Sequence, residues 1–312
     1  MQWLWLGLLL LPLTAAAQAC PKSAHLAAGY CDTNGDRVAD APTDRRQWLD
    51  PDPLVLADVP TSDMSERAAR AEPFRLHLEQ LLRRRVSYFI ARDYSDLIAA
   101  YRAGRVHLLN IQTGGVEQAV VCHGFVPLAQ PRDAQGEVAG YQMEILVPAR
   151  SAIRHPSELK GRTLTFVDER SASGYMAPRT LLAKEFGLEA GKDYKFDFSG
   201  RQDNSIVGVA NGLYQAAAVA SAVREDLQRQ GLMSADSVRV IYRSPTFPHS
   251  PWGVNHRLNP ELAQQIQRAI VAYAGPDKVL QSGSRFRPAD YLRDWTFMRG
   301  LSAVGAEGPA CP

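Results

Sequence analysis

From residue 53 onward, short apolar runs alternate with stretches of helical periodicity, and that order leaves few folds open. Pro53-Leu54-Val55-Leu56-Ala57-Asp58-Val59-Pro60 reads as a strand ending in Thr61-Ser62, followed by a helix from about Met64 to Arg84. A strand Val86-Ser87-Tyr88-Phe89-Ile90, a helix from Tyr94 to Ala103 and a strand Val106-His107-Leu108-Leu109-Asn110 come next, and Gln112-Thr113-Gly114-Gly115 leads into a helix at Val116. Strands separated by helices pair in parallel, and their C-terminal ends face one edge where loops gather a ligand. Thr61, Ser62, Gln112, Thr113 and Gly114 are the candidate ligand groups on that edge.

Tyr141 to Val147 alternates and leads into Ser157-Glu158-Leu159-Lys160-Gly161, where a second such series begins. Its centre is Ser171-Ala172-Ser173-Gly174-Tyr175-Met176-Ala177-Pro178, between an apolar strand (Leu164 to Val167) and a helix (Arg179 to Phe186) stopped by Gly187. A Ser/Gly loop opening a helix presents N–H groups without intrahelical partners at the positive end of the macrodipole, which suits an anion. The competing reading is that Ser171 or Ser173 only caps the helix. The series continues through Tyr194–Phe198, a helix start at Ser205, Ala216–Val219 and Val238–Tyr242. A helix from Pro260 to Ala274 and a tail near Tyr291 to Met298 have no evident strand partners and are expected to pack back on the first unit. Two α/β lobes joined by crossovers near 141–147 and 238–246 describe a clamp closing by hinge motion. The expected boundaries are 1–19 a signal peptide, 20–52 an N-terminal linker segment, 53–142 with 247–312 the first lobe, and 143–246 the second.

Residues 1–19 carry no charge, and Leu4 to Leu13 form an apolar core ahead of small residues suited to cleavage before Cys20. Export is therefore expected, although a basic leading region is missing. A lipid on Cys20 is the one expected route to a membrane. A net charge of +2 argues against a nucleic-acid partner. The chain has four cysteines: Cys20, Cys31, Cys122 and Cys311. In an exported protein either Cys31 with Cys311 or Cys20 with Cys31 forms the natural pair, and both leave Cys122 as a free thiol. Asp32, Asn34, Asp36 and Asp40 place oxygen ligands at calcium-loop spacing, although the glycine comes one place early and a solvated Asn-Gly turn explains the same residues. Beyond calcium, no cofactor is expected.

The order Tyr94-Ser95-Asp96-Leu97-Ile98-Ala99-Ala100-Tyr101-Arg102-Ala103-Gly104, then Ser157 to Gly161, Ser171 to Pro178, Ser199-Gly200 and Ser244-Pro245-Thr246-Phe247-Pro248 resembles the phosphonate-binding family of ABC-transporter substrate-binding proteins. The resemblance spans about residues 53–275. It implies a two-lobed type 2 periplasmic-binding-protein fold with two hinge crossovers, a small oxyanion between the lobes and an ABC permease as partner. It carries over Ser171, Ser173 and the backbone around Gly174 as anion donors. The chain departs from the family pattern in having Gly200-Arg201-Gln202-Asp203 where Ser-His often follows the glycine. That leaves Gln202 as a neutral donor or acceptor. It also has Gln215 where an acidic residue often reads an amine, which disfavours an aminophosphonate. Cys122-His123-Gly124 further resembles a branch of arsenite-binding sensors that act with a histidine kinase, in which a cleft cysteine is the soft ligand. Cys122 would stand on the order of 10 Å from the Gln112 loop, two helical turns away. A hydrolase is the alternative of a different class, but Ser171 has no evident general base and no Gly-x-Ser-x-Gly elbow is present.

Overall fold

The structure, a computed structural model, describes residues 24–59, 64–275, 285–303 and Cys311. In chain order the elements begin with β1 (Leu54–Ala57), α1 (Met64–Leu82), β2 (Val86–Tyr88), α2 (Tyr94–Arg102), β3 (Leu108–Asn110), α3 (Val116–His123) and β4 (Phe125–Pro131). Next come β5 (Gly140–Pro148), β6 (Thr163–Phe166), α4 (Ala177–Phe186), β7 (Lys195–Phe198), α5 (Gln202–Ala210), β8 (Ala217–Ala220), α6 (Ser221–Arg229) and β9 (Val238–Pro248). The chain closes with β10 (Trp252–Asn255), α7 (Pro260–Ala272), β11 (Phe286–Pro288), α8 (Tyr291–Asp294) and α9 (Thr296–Ala303).

Local chemistry sets the ends of these helices. The Asp93 carboxylate accepts the Asp96 N–H at 2.8 Å to start α2, and Asn259 caps α7 ahead of Pro260. Gly124 and Gly187 end α3 and α4 in the left-handed region, at φ 60° and 65°, where a side chain would be strained.

Two sheets result. The first runs β11-β4-β10-β3-β1-β2, and the second β7-β6-β8-β5-β9. The β1–β2, β1–β3, β6–β7 and β6–β8 pairs are parallel, as expected for strands joined through helices. The returning chain adds antiparallel strands that periodicity does not reveal: β10 lies between β3 and β4, and β11 pairs with β4. The tail expected near Tyr291 to Met298 is itself helical, as α8 and α9, and has no strand of its own among the described residues. β5 and β9 pair antiparallel along their length. The chain therefore leaves the first sheet after β4 and returns after β9, at two adjacent crossovers. One core packs α1 and α7 on the first sheet through Leu54, Phe74, Leu78, Trp252, Ile266 and Ile270. Another, with Leu146, Ile206, Val209 and Val219, belongs to the second.

The described part of segment 20–52 is packed rather than linker-like. Leu26, Val38 and Ala39 are buried, Ala27 N–H donates to Val121 O at 2.9 Å, and Leu49 exchanges backbone bonds with Arg257 and Asn259. Residues 1–19 and Cys20 lie outside the described residues, so the cleavage and lipid expectations have no structural counterpart here. Among the described residues no helix is long and apolar enough to cross a membrane.

The cysteine pairing departs from the expectation at Cys122 and Cys311, whereas Cys20, the other expected partner of Cys31, lies outside the described residues. Cys122 is bonded to Cys311, across 189 residues of sequence, and Cys31 is also in a disulfide. Neither the Cys31–Cys311 pairing nor a free Cys122 thiol is found. Cys122 sits at the C-terminal end of α3, where the folded-back tail reaches it, a proximity that spacing does not encode. A cross-link over so long a loop restricts the unfolded chain and typically contributes about 2–4 kcal/mol. Replacing Cys122 and Cys311 together by serine is expected to lower the thermal midpoint while leaving ligand affinity within a few-fold, because the pair is outside the cleft. Calorimetric melting and titration check both; a large loss of affinity would contradict the assignment.

Candidate functional site

A cleft of about 90 Å³ lies between the lobes, lined by Asp58, Arg67, Arg70, Tyr94, Gln112 and Thr113 from the first lobe side, and Ser171, Ser173, Gln202, Ala222, Val223 and Asp226 from the second, with Tyr141 and His249 at the crossovers. One water needs roughly 10–15 Å³ of such space, so the cleft suits a small molecule of several heavy atoms.

The Ser171 loop forms a single π-helical turn, Ala172–Met176, running straight into α4. Ser171 Oγ accepts the Gly174 N–H at 3.0 Å, so this serine does cap the turn. It also takes part in a wider net. Gln202 Oε1 accepts the Ala220 N–H at 2.9 Å, which fixes the orientation of its amide. Gln202 Nε2 is then the donor, to Ser171 Oγ at 3.3 Å and Ser173 Oγ at 3.2 Å. Ser171 accepts two N–H groups and Ser173 one, each hydroxyl keeps its own O–H to give, and both serines are buried on the cleft wall. The N-terminus of α6 lacks a side-chain cap, and Ala222 and Val223 of its first turn face the same cleft.

Gly174 has a different part from the expected one. Its N–H is spent on Ser171, and a Cβ there would meet Val167 at 2.5 Å, so it allows close packing rather than donating to a ligand. Gly114 likewise does not line the cleft but abuts the 170–176 loop. Gln112 and Thr113 do line it. Thr113 Oγ1 donates to Pro248 O at 2.9 Å, while neither end of the buried Gln112 amide has a hydrogen-bond partner among the described residues. Thr61 and Ser62 lie outside the described residues. Arg201 turns away, its guanidinium fork on Asp203.

Several cleft groups have no warning in sequence periodicity. Arg67 of α1 is 4% exposed; Nη2 donates to Ala91 O, Nη1 stands 3.7 Å from Asp58 Oδ1, and Nε and Nη1 lack hydrogen-bond partners among the described residues. Asp58 also accepts the Tyr88 hydroxyl. Burial pushes its carboxyl up to about 6, against the pull of Tyr88, Arg67 and Arg70. Arg70 of α1 pairs with Asp226 of α6 at 3.8 Å, joining the lobes. Burial raises Tyr141, tempered by the Thr113 and Ser173 hydroxyls of opposite lobes, and pushes His249 down to about 4, leaving it neutral. Tyr141 stacks on that imidazole, with ring centroids 5.1 Å apart. Asp58 follows the C-terminal end of β1, the edge where ligands gather, and that was the one available signal for it.

Other expected groups are elsewhere. Gln215 accepts the exposed Thr163 N–H and does not line the cleft, so its identity says nothing about an amine; the acidic cleft residues are Asp58 and Asp226, each beside an arginine. Cys122, in its disulfide and off the cleft wall, offers no thiol to arsenite. In the 32–40 loop, Asp32 accepts the Gly35 and Arg37 N–H groups, Asn34 that of Asp36, Asp36 that of Val38, and Asp40 that of Thr33. Among the described residues no group of three or more His, Cys, Asp or Glu is placed to hold a metal ion.

Two lobes on adjacent crossovers, with a polar, donor-rich cleft between them, define a solute-binding protein of the two-lobed clamp type. Residues 56–294 match the family model for ABC-transporter phosphonate periplasmic substrate-binding proteins. The chain belongs to this family, whose members are periplasmic. It is 25% identical over 230 residues to the phosphate-import protein PhnD of Mycolicibacterium smegmatis, covering 70% of each chain. It is 26% identical over 202 residues to the phosphonates-binding periplasmic protein of Escherichia coli, covering 64% of this chain and 59% of that one. A binding-protein component of an ABC phosphonate transporter from Pseudomonas aeruginosa shares the fold, with a TM-score of 0.69 at 21% identity over 82% of this chain and 90% of that one. PhnD1 from Prochlorococcus marinus, solved in complex with methylphosphonate, has a TM-score of 0.68 at 18% identity over 80% and 97%.

Proposed function

We propose that this chain captures a small phosphorus oxyanion of the phosphonate, phosphite or phosphate class in the periplasm and delivers it to an ABC permease. The observation that carries the reading is the Ser171–Gln202–Ser173 net, in which one oriented amide donates to both hydroxyls and leaves each with its own O–H to give. The first turn of α6 and the Arg67 guanidinium add donors on facing walls, so a ligand rich in acceptor oxygens is complementary from both sides. Relatives import phosphate or bind phosphonates, and one neighbour of the same fold holds methylphosphonate. Capture rather than turnover fits a cleft in which the groups beside the serine hydroxyls are the Gln202 amide, the Gly174 N–H and the Tyr141 phenol, which burial keeps protonated, so that none of them is a general base.

The test is a thermal-shift and calorimetric panel of phosphate, phosphite, methylphosphonate and aminoethylphosphonate, with arsenite as the soft comparator. A ligand present at about 100 times its dissociation constant adds about 2.7 kcal/mol to the folded state. Ser173→Ala, which removes one hydroxyl donor to a charged ligand, is expected to weaken the bound member roughly tenfold or more, with the fold intact. Absence of any shift with every phosphorus oxyanion would sink the reading.

A further inference from the structure

We propose that the cleft takes its oxyanion in a protonated form, with Asp58 and Gln112 as the acceptors that require the ligand to carry an O–H. This rests on the phosphorus-oxyanion reading and narrows it. Arg67 and the two serines offer donors only, and any oxyanion satisfies them. Gln112 differs. It is 5% exposed, it lines the cleft, and both ends of its amide lack hydrogen-bond partners among the described residues. Whichever way that amide is turned, it presents one acceptor as well as one donor group. Asp58 adds a carboxylate on the same side of the cleft.

A ligand covering this wall with acceptors alone sets its oxygens against the Asp58 carboxylate, which is costly, and brings no donor to the Gln112 carbonyl, which is already buried and unpaired among the described residues. A monoanionic phosphonate, phosphite or phosphate has a P–OH to give. A sulfonate or sulfate, of the same tetrahedral shape, is fully ionised and has none. The wall therefore separates phosphorus from sulfur oxyanions by protonation rather than by size. The groups around Asp58 are the Tyr88 hydroxyl from β2 and Arg67 and Arg70 from α1. The other titratable groups on the cleft wall are Asp226, His249, Tyr94 and Tyr141. The arginines favour an ionised Asp58, yet burial lifts its carboxyl to about 6, so it is an anionic acceptor at neutral pH and a donor in acid.

The experiment is isothermal titration of the full chain with methylphosphonate and with its isostere methanesulfonate, from about pH 5 to about pH 9, for the parent and Asp58→Asn. At neutral pH methylphosphonate is expected to bind at least about tenfold more tightly than methanesulfonate. Above the ligand's second ionisation its affinity should fall by about tenfold per pH unit as the monoanion is consumed. Methanesulfonate should bind better as the pH falls through about 6, where Asp58 gains its proton. Asp58→Asn, which can donate through its amide, should narrow the preference to a few-fold and remove that acid enhancement. If the variant does not fold, the parent's two pH series decide. Equal binding of methanesulfonate at neutral pH, or methylphosphonate affinity that holds through its second ionisation, would overturn the proposal and leave the oxyanion reading standing. Failure of every phosphorus oxyanion to bind would remove both.

Discussion

Arg67→Met is expected to weaken oxyanion capture by roughly 30-fold or more while making stability depend more steeply on pH. The guanidinium is buried on the cleft wall with two N–H-bearing nitrogens uncommitted to hydrogen bonds among the described residues, and it is the nearest cation to Asp58. Truncating one partner of a buried charge contact typically costs about 2–5 kcal/mol, a fall in affinity of roughly 30-fold or more. The stability effect has a definite sign. Asp58 is lifted from 3.8 to about 6 on folding, so the native state holds a proton that the unfolded chain has released over that range. Stability contributed by the protonated group is therefore present in acid and lost as pH rises through about 6. Without Arg67 the ionised carboxylate loses its nearest counter-charge, its folded pKa rises further, and the loss extends upward in pH. Urea unfolding at about pH 5 and about pH 8 should show the variant close to the parent in acid and several kcal/mol less stable in base, within the 3–5 kcal/mol typical of a broken buried pair. Adding Asp58→Asn should restore stability without restoring capture. Parent-like affinity in Arg67→Met would show that the guanidinium serves Asp58 alone.

What could be read from sequence divides along the range of the interaction involved. The parallel strands, the helices between them, the stop at Gly187 and the Ser171 turn are written in neighbouring residues: apolar spacing, a left-handed glycine, a short hydroxyl before a helix. Gln112, Thr113, Ser171, Ser173 and Gln202 do meet in one cleft, because each begins or precedes a helix at a strand's C-terminal end and the sheets bring those ends together. Short strands without alternation, such as Trp252–Asn255 and Phe286–Pro288, exist only through partners more than a hundred residues away. The Cys122–Cys311 bond has the same character, since spacing cannot say that a tail folds back onto α3. Arg67 and Asp58 escape notice for another reason. Charged residues in a helix and at a strand end look solvated until the cleft covers them.

That covering is itself testable at Gly114. The turn at Thr113–Gly115 belongs to the first lobe, and a Cβ on Gly114 would stand 2.6 Å from Arg170 O, 2.8 Å from Ala172 N and 2.8 Å from Met176 Sδ, all on the ligand-loop side of the second. Two of the three are backbone atoms and cannot swing aside. Gly114 lies outside the left-handed region, so alanine does not strain the turn itself. The added methyl therefore acts on the approach of the lobes and on little else. Each lobe has a core cluster of its own beside one that runs from Leu109 and Phe125 to Leu164 and Phe166, so the ligand-free melting temperature should change less than the affinity. A clamp whose closed state is populated less binds more weakly in proportion to that population. Gly114→Ala is expected to lose roughly 10- to 100-fold in affinity, equivalent to about 1.4–2.7 kcal/mol of closure. Small-angle scattering should show the parent contracting with ligand and the variant contracting less at matched saturation. Met176→Ala in the variant background removes the one yielding contact and should recover little, because the Arg170 and Ala172 backbone remains in the way. If Gly114→Ala binds and contracts like the parent, the ligand is held with these loops apart, and the serine hydroxyls reach it without help from the Gln112 wall.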